Sequence, residues 1–197
     1  MRPMGTMKVG VVGLGKMGIL HAGITSSISG ASVTAICEKE SFLMTAAKAL
    51  LPKRIAFYKN HQKMVTEEQL DAVFVTTPIS THVSVVNDLL RSNTDLSVFV
   101  EKPLAASYEQ AKVACEAATR SRGVHMVGFQ KRFSSVFQKA KQLVEQNILG
   151  GPIFFRGYCF SSDGLREGSA WRFRKNTGGV LLDSAPHLLD LLIWFFG

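Results

Sequence analysis

Six short runs dense in apolar and β-branched residues punctuate the first two-thirds of the chain. They are 7–12 (MKVGVV), 33–37 (VTAIC), 54–58 (RIAFY), 72–76 (AVFVT), 96–100 (LSVFV) and 124–128 (VHMVG). Between them lie stretches of helical composition at 16–28, 41–50, 62–68, 80–92 and 107–121. A strand that is apolar throughout has no side left for solvent. Such strands, separated by helices, form a parallel sheet covered on both faces. The pattern predicts a doubly wound α/β domain over residues 1–125.

Beyond residue 125 the rhythm changes. A helical stretch at 134–149 (SSVFQKAKQLVEQNIL) runs into the turn signal GGP, and an aromatic-rich run at 153–160 (IFFRGYCF) has the look of a strand. A polar loop rich in Gly and Arg, 161–179, leads to a last apolar helix from about residue 183. One strand cannot make a sheet, so 126–197 reads as the start of an incomplete α+β domain whose remainder is absent.

Composition narrows the classes that remain. Of 197 residues, 46% are hydrophobic and 19% charged, a globular balance. No window approaches the roughly 18 apolar residues of a membrane span; the densest run, LLDLLIWFFG, is short and carries Asp190. Residues 1–6 lack the apolar core of a signal peptide, and Met7 is a second possible start. A cytoplasmic protein without a membrane partner is expected. The net charge of +8 is scattered; RSR at 120–122 and RFRK at 172–175 are the densest groups. With no basic helix or aromatic-interleaved stripe, a nucleic-acid partner is not expected. Cys37, Cys115 and Cys159 form no CxxC pair, so they read as small buried hydrophobes, with neither disulfide nor metal site.

At the end of the first strand stands GLGKMG, in which Gly13, Gly15 and Gly18 fit G-x-G-x-x-G. The first glycine allows a tight turn, the second lets backbone approach a pyrophosphate, and the third lets helix pack on strand. The helix that begins here offers unpaired N–H groups and the positive end of its dipole to phosphates, which brings in Lys16 and Met17. Glu38 follows Gly18 by twenty residues, at the end of the second strand, where a carboxylate accepts from ribose hydroxyls. The context is that of a Rossmann dinucleotide site. A carboxylate repels a 2′-phosphate, so NAD is favoured; the neighbouring Lys39 keeps NADP open.

Further motifs occur in a fixed order: TTPISTH (76–82), EKP (101–103), GFQKRF (128–133) and GGVLLDSAPHLLDLLIWFFG (178–197). Together with the glycine turn they resemble, over residues 7–197, the glucose–fructose oxidoreductase / inositol dehydrogenase / MocA family of NAD(P)-dependent dehydrogenases. The resemblance implies that hydride moves between nicotinamide and a secondary alcohol or ketone of a sugar, polyol or related diol. It places Lys102 beside the nicotinamide and the reacting oxygen, often before a cis proline bond, and makes Glu101 a nicotinamide-ribose contact. Thr76, Thr77 and Pro78 are its cofactor-contacting turn. It makes His187 the general base, with Asp183 orienting the base or the substrate. It also implies homo-oligomers paired through the second domain.

The residues themselves leave alternatives. Asp183 and His187 are four apart, so a helix would put them on one face. Pro186 limits how early that helix starts, which makes Asp183 or Ser184 its N-cap. An N-cap aspartate and a structural histidine is the plainer reading. His82 lines the nicotinamide side or caps the next helix. Arg132, Trp171 and Arg172 shape a substrate pocket, or the arginines snorkel over aromatics. His21, His61 and His125 have no partner visible in the sequence and read as structural or exposed. A non-catalytic dinucleotide sensor or scaffold is the functional alternative.

Overall fold

The computed structural model describes residues 5–148, 150–151, 154–158 and 179–197. The chain divides into two compact units, Met1–Val127 and Gly128–Gly197, two residues beyond the boundary drawn from the sequence.

In the first unit, six strands form one parallel sheet in the order β3-β2-β1-β4-β5-β6. They are β1 (Met7–Val12), β2 (Ala31–Cys37), β3 (Ala56–Tyr58), β4 (Ala72–Val75), β5 (Ser97–Val100) and β6 (His125–Val127). The connecting helices are α1 (Lys16–Ser26), α2 (Ser41–Leu50), α3 (His61–Glu67), α4 (Ile79–Ser92) and α5 (Tyr108–Thr119). This is the Rossmann-type doubly wound sheet, and each strand and helix lies where the sequence pattern put it, within two or three residues at the ends.

The all-apolar strands are explained by the two cores. Successive side chains of a strand point to opposite faces. Val12, Ala35, Cys37, Val73, Val75, Val98 and Val100 therefore pack with Met64, Val85, Leu89 and Ala114 on the face of α3, α4 and α5. Val11, Val33 and Ile36 pack with Leu14 and Ala22 on the face of α1. Local chemistry starts the helices: Asn60 accepts from Lys63 N before α3, and Ser107 from Gln110 N before α5. Cys37 is buried, and desolvation pushes its thiol up to about 11. Cys115 departs from expectation: it is exposed on α5, because a helix has a solvent side that a buried strand lacks. Cys159 lies outside the described residues.

The second unit holds a 3₁₀ turn over Gln130–Phe133, which sequence periodicity does not reveal, then α6 (Ser135–Glu145), α7 (Gly179–Asp183) and α8 (Ala185–Phe196). Residues 154–158 of the anticipated strand join no ladder among the described residues; a strand exists only by pairing. The rest of the 153–160 run, and almost all of the 161–179 loop, lie outside the described residues. Helix α6 and the 3₁₀ turn pack on α8, with Phe137 and Phe195 ring centroids 6.3 Å apart.

Candidate active site

In the first unit, β1 ends at the centre of the sheet beside β4, where strand order reverses and ligands of open α/β sheets bind. Gly13 takes φ +94°, a conformation that side chains resist, and a Cβ there would stand 3.0 Å from the Thr76 carbonyl oxygen. A Cβ on Gly18 would drive into the carbonyl oxygen of Gly13. Gly15 is different: its Cβ would meet nothing within 4 Å. It is the N-cap of α1 and has no side chain to cover the first-turn amides, which find no carbonyl inside the helix. Two glycines pack the turn and one leaves it open. That cradle fits a pyrophosphate.

Two side chains lock this turn. The Thr76 hydroxyl, just past β4, donates to Gly13 O at 2.7 Å and lies 3.1 Å from Val12 O. Glu38 is 8% exposed, and its Oε2 accepts from Leu14 N at 2.6 Å while Oε1 accepts from Glu40 N at 2.8 Å. The sequence leads to the expectation of a ribose contact for Glu38; what the structure shows is that it anchors the glycine turn. Ionised carboxylate oxygens have several lone pairs, so the two tasks are compatible. Lys16 is exposed and Met17 half-buried in the first turn of α1. Thr77 accepts from Thr81 Oγ1 at 2.9 Å, and Pro78 caps α4.

At the end of β5, Glu101 N continues the ladder to Val75 O at 2.9 Å, and Lys102 precedes a cis peptide bond to Pro103. Two histidines reach this turn. His21 Nε2 lies 2.7 Å from Glu101 Oε1, both side chains being largely buried, and its ring stacks on Phe74 at 5.0 Å. His21 thus has a partner that the sequence did not disclose, as does His61, whose Nε2 lies 3.0 Å from Asp88 Oδ2. His82 is 2% exposed, with Nδ1 2.9 Å from Pro103 O and Nε2 2.7 Å from Thr77 O. Pro78 occupies the N-cap of α4, so His82 does not cap that helix. Its ring nitrogens bridge the turns after β4 and β5. A neutral imidazole donates to one of those carbonyls, an imidazolium to both.

In the second unit, Pro186 decides the geometry. It lacks an N–H and would clash with the preceding turn, so no single helix runs through Asp183 and His187. Asp183 ends α7, Ser184 is the N-cap of α8 without a side-chain cap bond, and His187 stands in the first turn of α8. Of the two N-caps expected for this helix the structure uses Ser184, and Asp183 ends the helix before it instead of sharing a helix face with His187. The His187 ring meets Phe129 edge-on at 6.5 Å. Arg132 is partly exposed and has partners within its own unit: Nε and Nη2 donate to Asp190 at 2.8 and 2.5 Å, and the guanidinium lies 5.8 Å from the Trp194 ring. The hydrogen bonds to Asp190 raise its pKa. Asp190 looks in the sequence like a flaw in an apolar run; its partner 58 residues away is the reason it is tolerated. Trp171 and Arg172 lie outside the described residues.

The comparison with known proteins agrees with this geometry. Residues 7–129 match the family described as "Oxidoreductase family, NAD-binding Rossmann fold", and residues 137–197 match the "GFO/IDH/MocA C-terminal domain". The chain belongs to the GFO/IDH/MocA oxidoreductase family. Among its relatives in that family, the scyllo-inositol 2-dehydrogenase (NAD(+)) of Bacillus subtilis is 28% identical over 97% of this chain and 54% of its own length. The rhizopine catabolism protein MocA of Rhizobium meliloti is 25% identical over 98% and 58%. The scyllo-inositol dehydrogenase of Lactobacillus casei, solved with NAD(H) and scyllo-inositol, superimposes with a TM-score of 0.87 at 28% identity, covering 98% of this chain and 56% of that one. The chain spans about half the length of the relatives it matches.

Proposed function

We propose that this chain carries the cofactor-binding turn and the base of an NAD-dependent dehydrogenase acting on a secondary hydroxyl of a cyclic polyol, with inositols as the first class to try. The observation that carries the reading is the glycine turn: two glycines packed shut, one open, and a bare helix N-terminus at the switch point of the sheet. Bound there, NAD supplies the hydride acceptor. The remaining work belongs to the chain. Amides of Lys16, Met17 and Gly18 hold the pyrophosphate, and Glu38 accepts from the adenosine ribose. Thr76, Thr77, Pro78 and Glu101 line the path toward the nicotinamide. Lys102 donates to the reacting oxygen and steadies the negative charge that grows there. The alcohol loses a hydride from carbon and a proton from oxygen, and the imidazole of His187 takes that proton, with Asp183 orienting the base or the substrate. A histidine's ordinary pKa near neutrality suits the exchange. Nothing in the relatives' names favours the sensor or scaffold alternative.

Self-association through the second unit belongs to the same reading. Leu189 and Ile193, four apart on α8, are 57% and 62% exposed. Light scattering should show association that weakens with lysine at both positions.

The central test is NADH formation over a panel of inositols and open-chain polyols, with calorimetry of NAD. His187→Ala should lower turnover by about 10²–10⁴ and leave NAD affinity nearly unchanged. Turnover within a few-fold of the unaltered chain would make His187 a structural residue.

A further inference from the structure

We propose that His21 and His82 are positioning residues for Lys102, each gripping a residue beside it; the proposal rests on the dehydrogenase reading above. The two histidines come from opposite faces of the sheet. His21 lies one turn into α1, which packs on one core, and His82 lies on α4, which packs on the other. His21 holds Glu101, the residue before the lysine, at 2.7 Å. The other oxygen of Glu101 accepts from the backbone N–H of Lys102 at 3.2 Å. His82 holds the carbonyl of Pro103, the residue after the lysine, at 2.9 Å.

Each grip is fixed in direction. The plane of His21 is set by its stack on Phe74, 11° from parallel, and by the tilted Phe99 ring at 4.9 Å. Water has little access to compete, since the His21 and Glu101 side chains are 16% and 12% exposed. His82 is wholly enclosed, and its second nitrogen reaches Thr77 O at 2.7 Å. The ring thus sits between the β4 and β5 turns, and its N–H donates to one of their two carbonyls. His21 also ties the lysine turn to the helix whose N-terminus receives the pyrophosphate. A displacement of about 1 Å in such a group is enough to spoil alignment. Local hydrogen bonds hold the lysine's own backbone and the sheet ladder holds Glu101 N; the two histidines add side-chain contacts from the helices on either face.

The experiment compares NADH with ADP-ribose, which lacks the nicotinamide, by calorimetry on the whole chain. In His21→Leu the ratio of the two dissociation constants should move about tenfold against NADH, because a misplaced turn misaligns the contacts at the nicotinamide end. His21→Gln, which keeps an N–H at similar reach, should restore the ratio, and His82→Gln should shift it less than His21→Leu. A residue needed only for folding would weaken both ligands together. An unchanged ratio in a folded His21→Leu chain overturns the proposal. If the unaltered chain binds neither ligand, the dehydrogenase reading fails by itself. The grip is then read separately by ¹⁵N resonance of the His21 ring, which must move when Glu101 becomes Gln and does not if the grip is absent.

Discussion

The turn after β1 and the helix that carries His187 are held in place by opposite means. In the first unit the glycine turn is fixed through its own backbone groups: glycines that exclude a Cβ, an amide that the Glu38 side chain accepts from, and a carbonyl that the Thr76 hydroxyl donates to. Behind it lies a core on both faces of a six-stranded sheet. In the second unit, Leu191 is the one apolar residue that is fully buried among the described residues, and a side-chain pair, Arg132 with Asp190, joins the 3₁₀ turn to α8. A turn closed on backbone tolerates no new atom at Gly13 or Gly18. A helix held by an ion pair tolerates no missing partner.

The largest expected effect tests the first half of that contrast. Gly18→Val puts a branched side chain into the Gly13 carbonyl, where backbone cannot yield, and should cost about 3 kcal/mol in urea unfolding while abolishing NAD binding. Gly15→Ala, placed in open space, should leave the unfolding midpoint almost unmoved. Equal losses at the two positions would break the comparison. Next is Arg132→Ala, which leaves Asp190 buried at 7% exposure with no cation. About 2–3 kcal/mol should be lost, below the range for fully buried pairs because Arg132 is partly in water. The loss should be read as faster hydrogen exchange across Ala185–Phe196. Replacing both partners with leucine should recover most of it. Equal loss of protection in β1 would show that the ion pair serves the whole chain.

The smallest effect concerns a histidine that neither unit's site uses. His125 on β6 lines a cavity of about 310 Å³ with Cys115 and Thr119 among aliphatic walls. Among the described residues its ring nitrogens, both buried, have no hydrogen-bond partner. Burial lowers its pKa from the ordinary 6.5. The unfolded chain then binds the proton more readily than the folded one, so this contribution is present above pH 6.5 and is lost as pH falls below it. His125→Leu should flatten the stability profile on the acid side of neutrality. An unchanged slope would assign the acid loss to other groups.

The sequence alone determined the sheet and its helices, because that information is periodic and local. Strands such as AVFV, buried on both faces, must be apolar at every position, and a glycine that cannot carry a Cβ is visible as a glycine. The caps that the structure shows at Asn60 and Ser107 are equally local, each bonded to a residue three positions on. Tertiary structure decided what depends on groups far apart in the chain. His21 and Glu101 are 80 residues apart, His82 and Pro103 21, Arg132 and Asp190 58. No spacing rule links such pairs. The EKP turn is recognisable as a motif, but which side chains grip it follows from which helices cover which face of the sheet. Pro186 marks a limit even locally: its missing N–H predicts where a helix cannot continue, yet only the fold showed a separate short helix ending at Asp183. Local sequence encodes backbone preference, whereas a side-chain partner is chosen by the packing that brings it within hydrogen-bond reach.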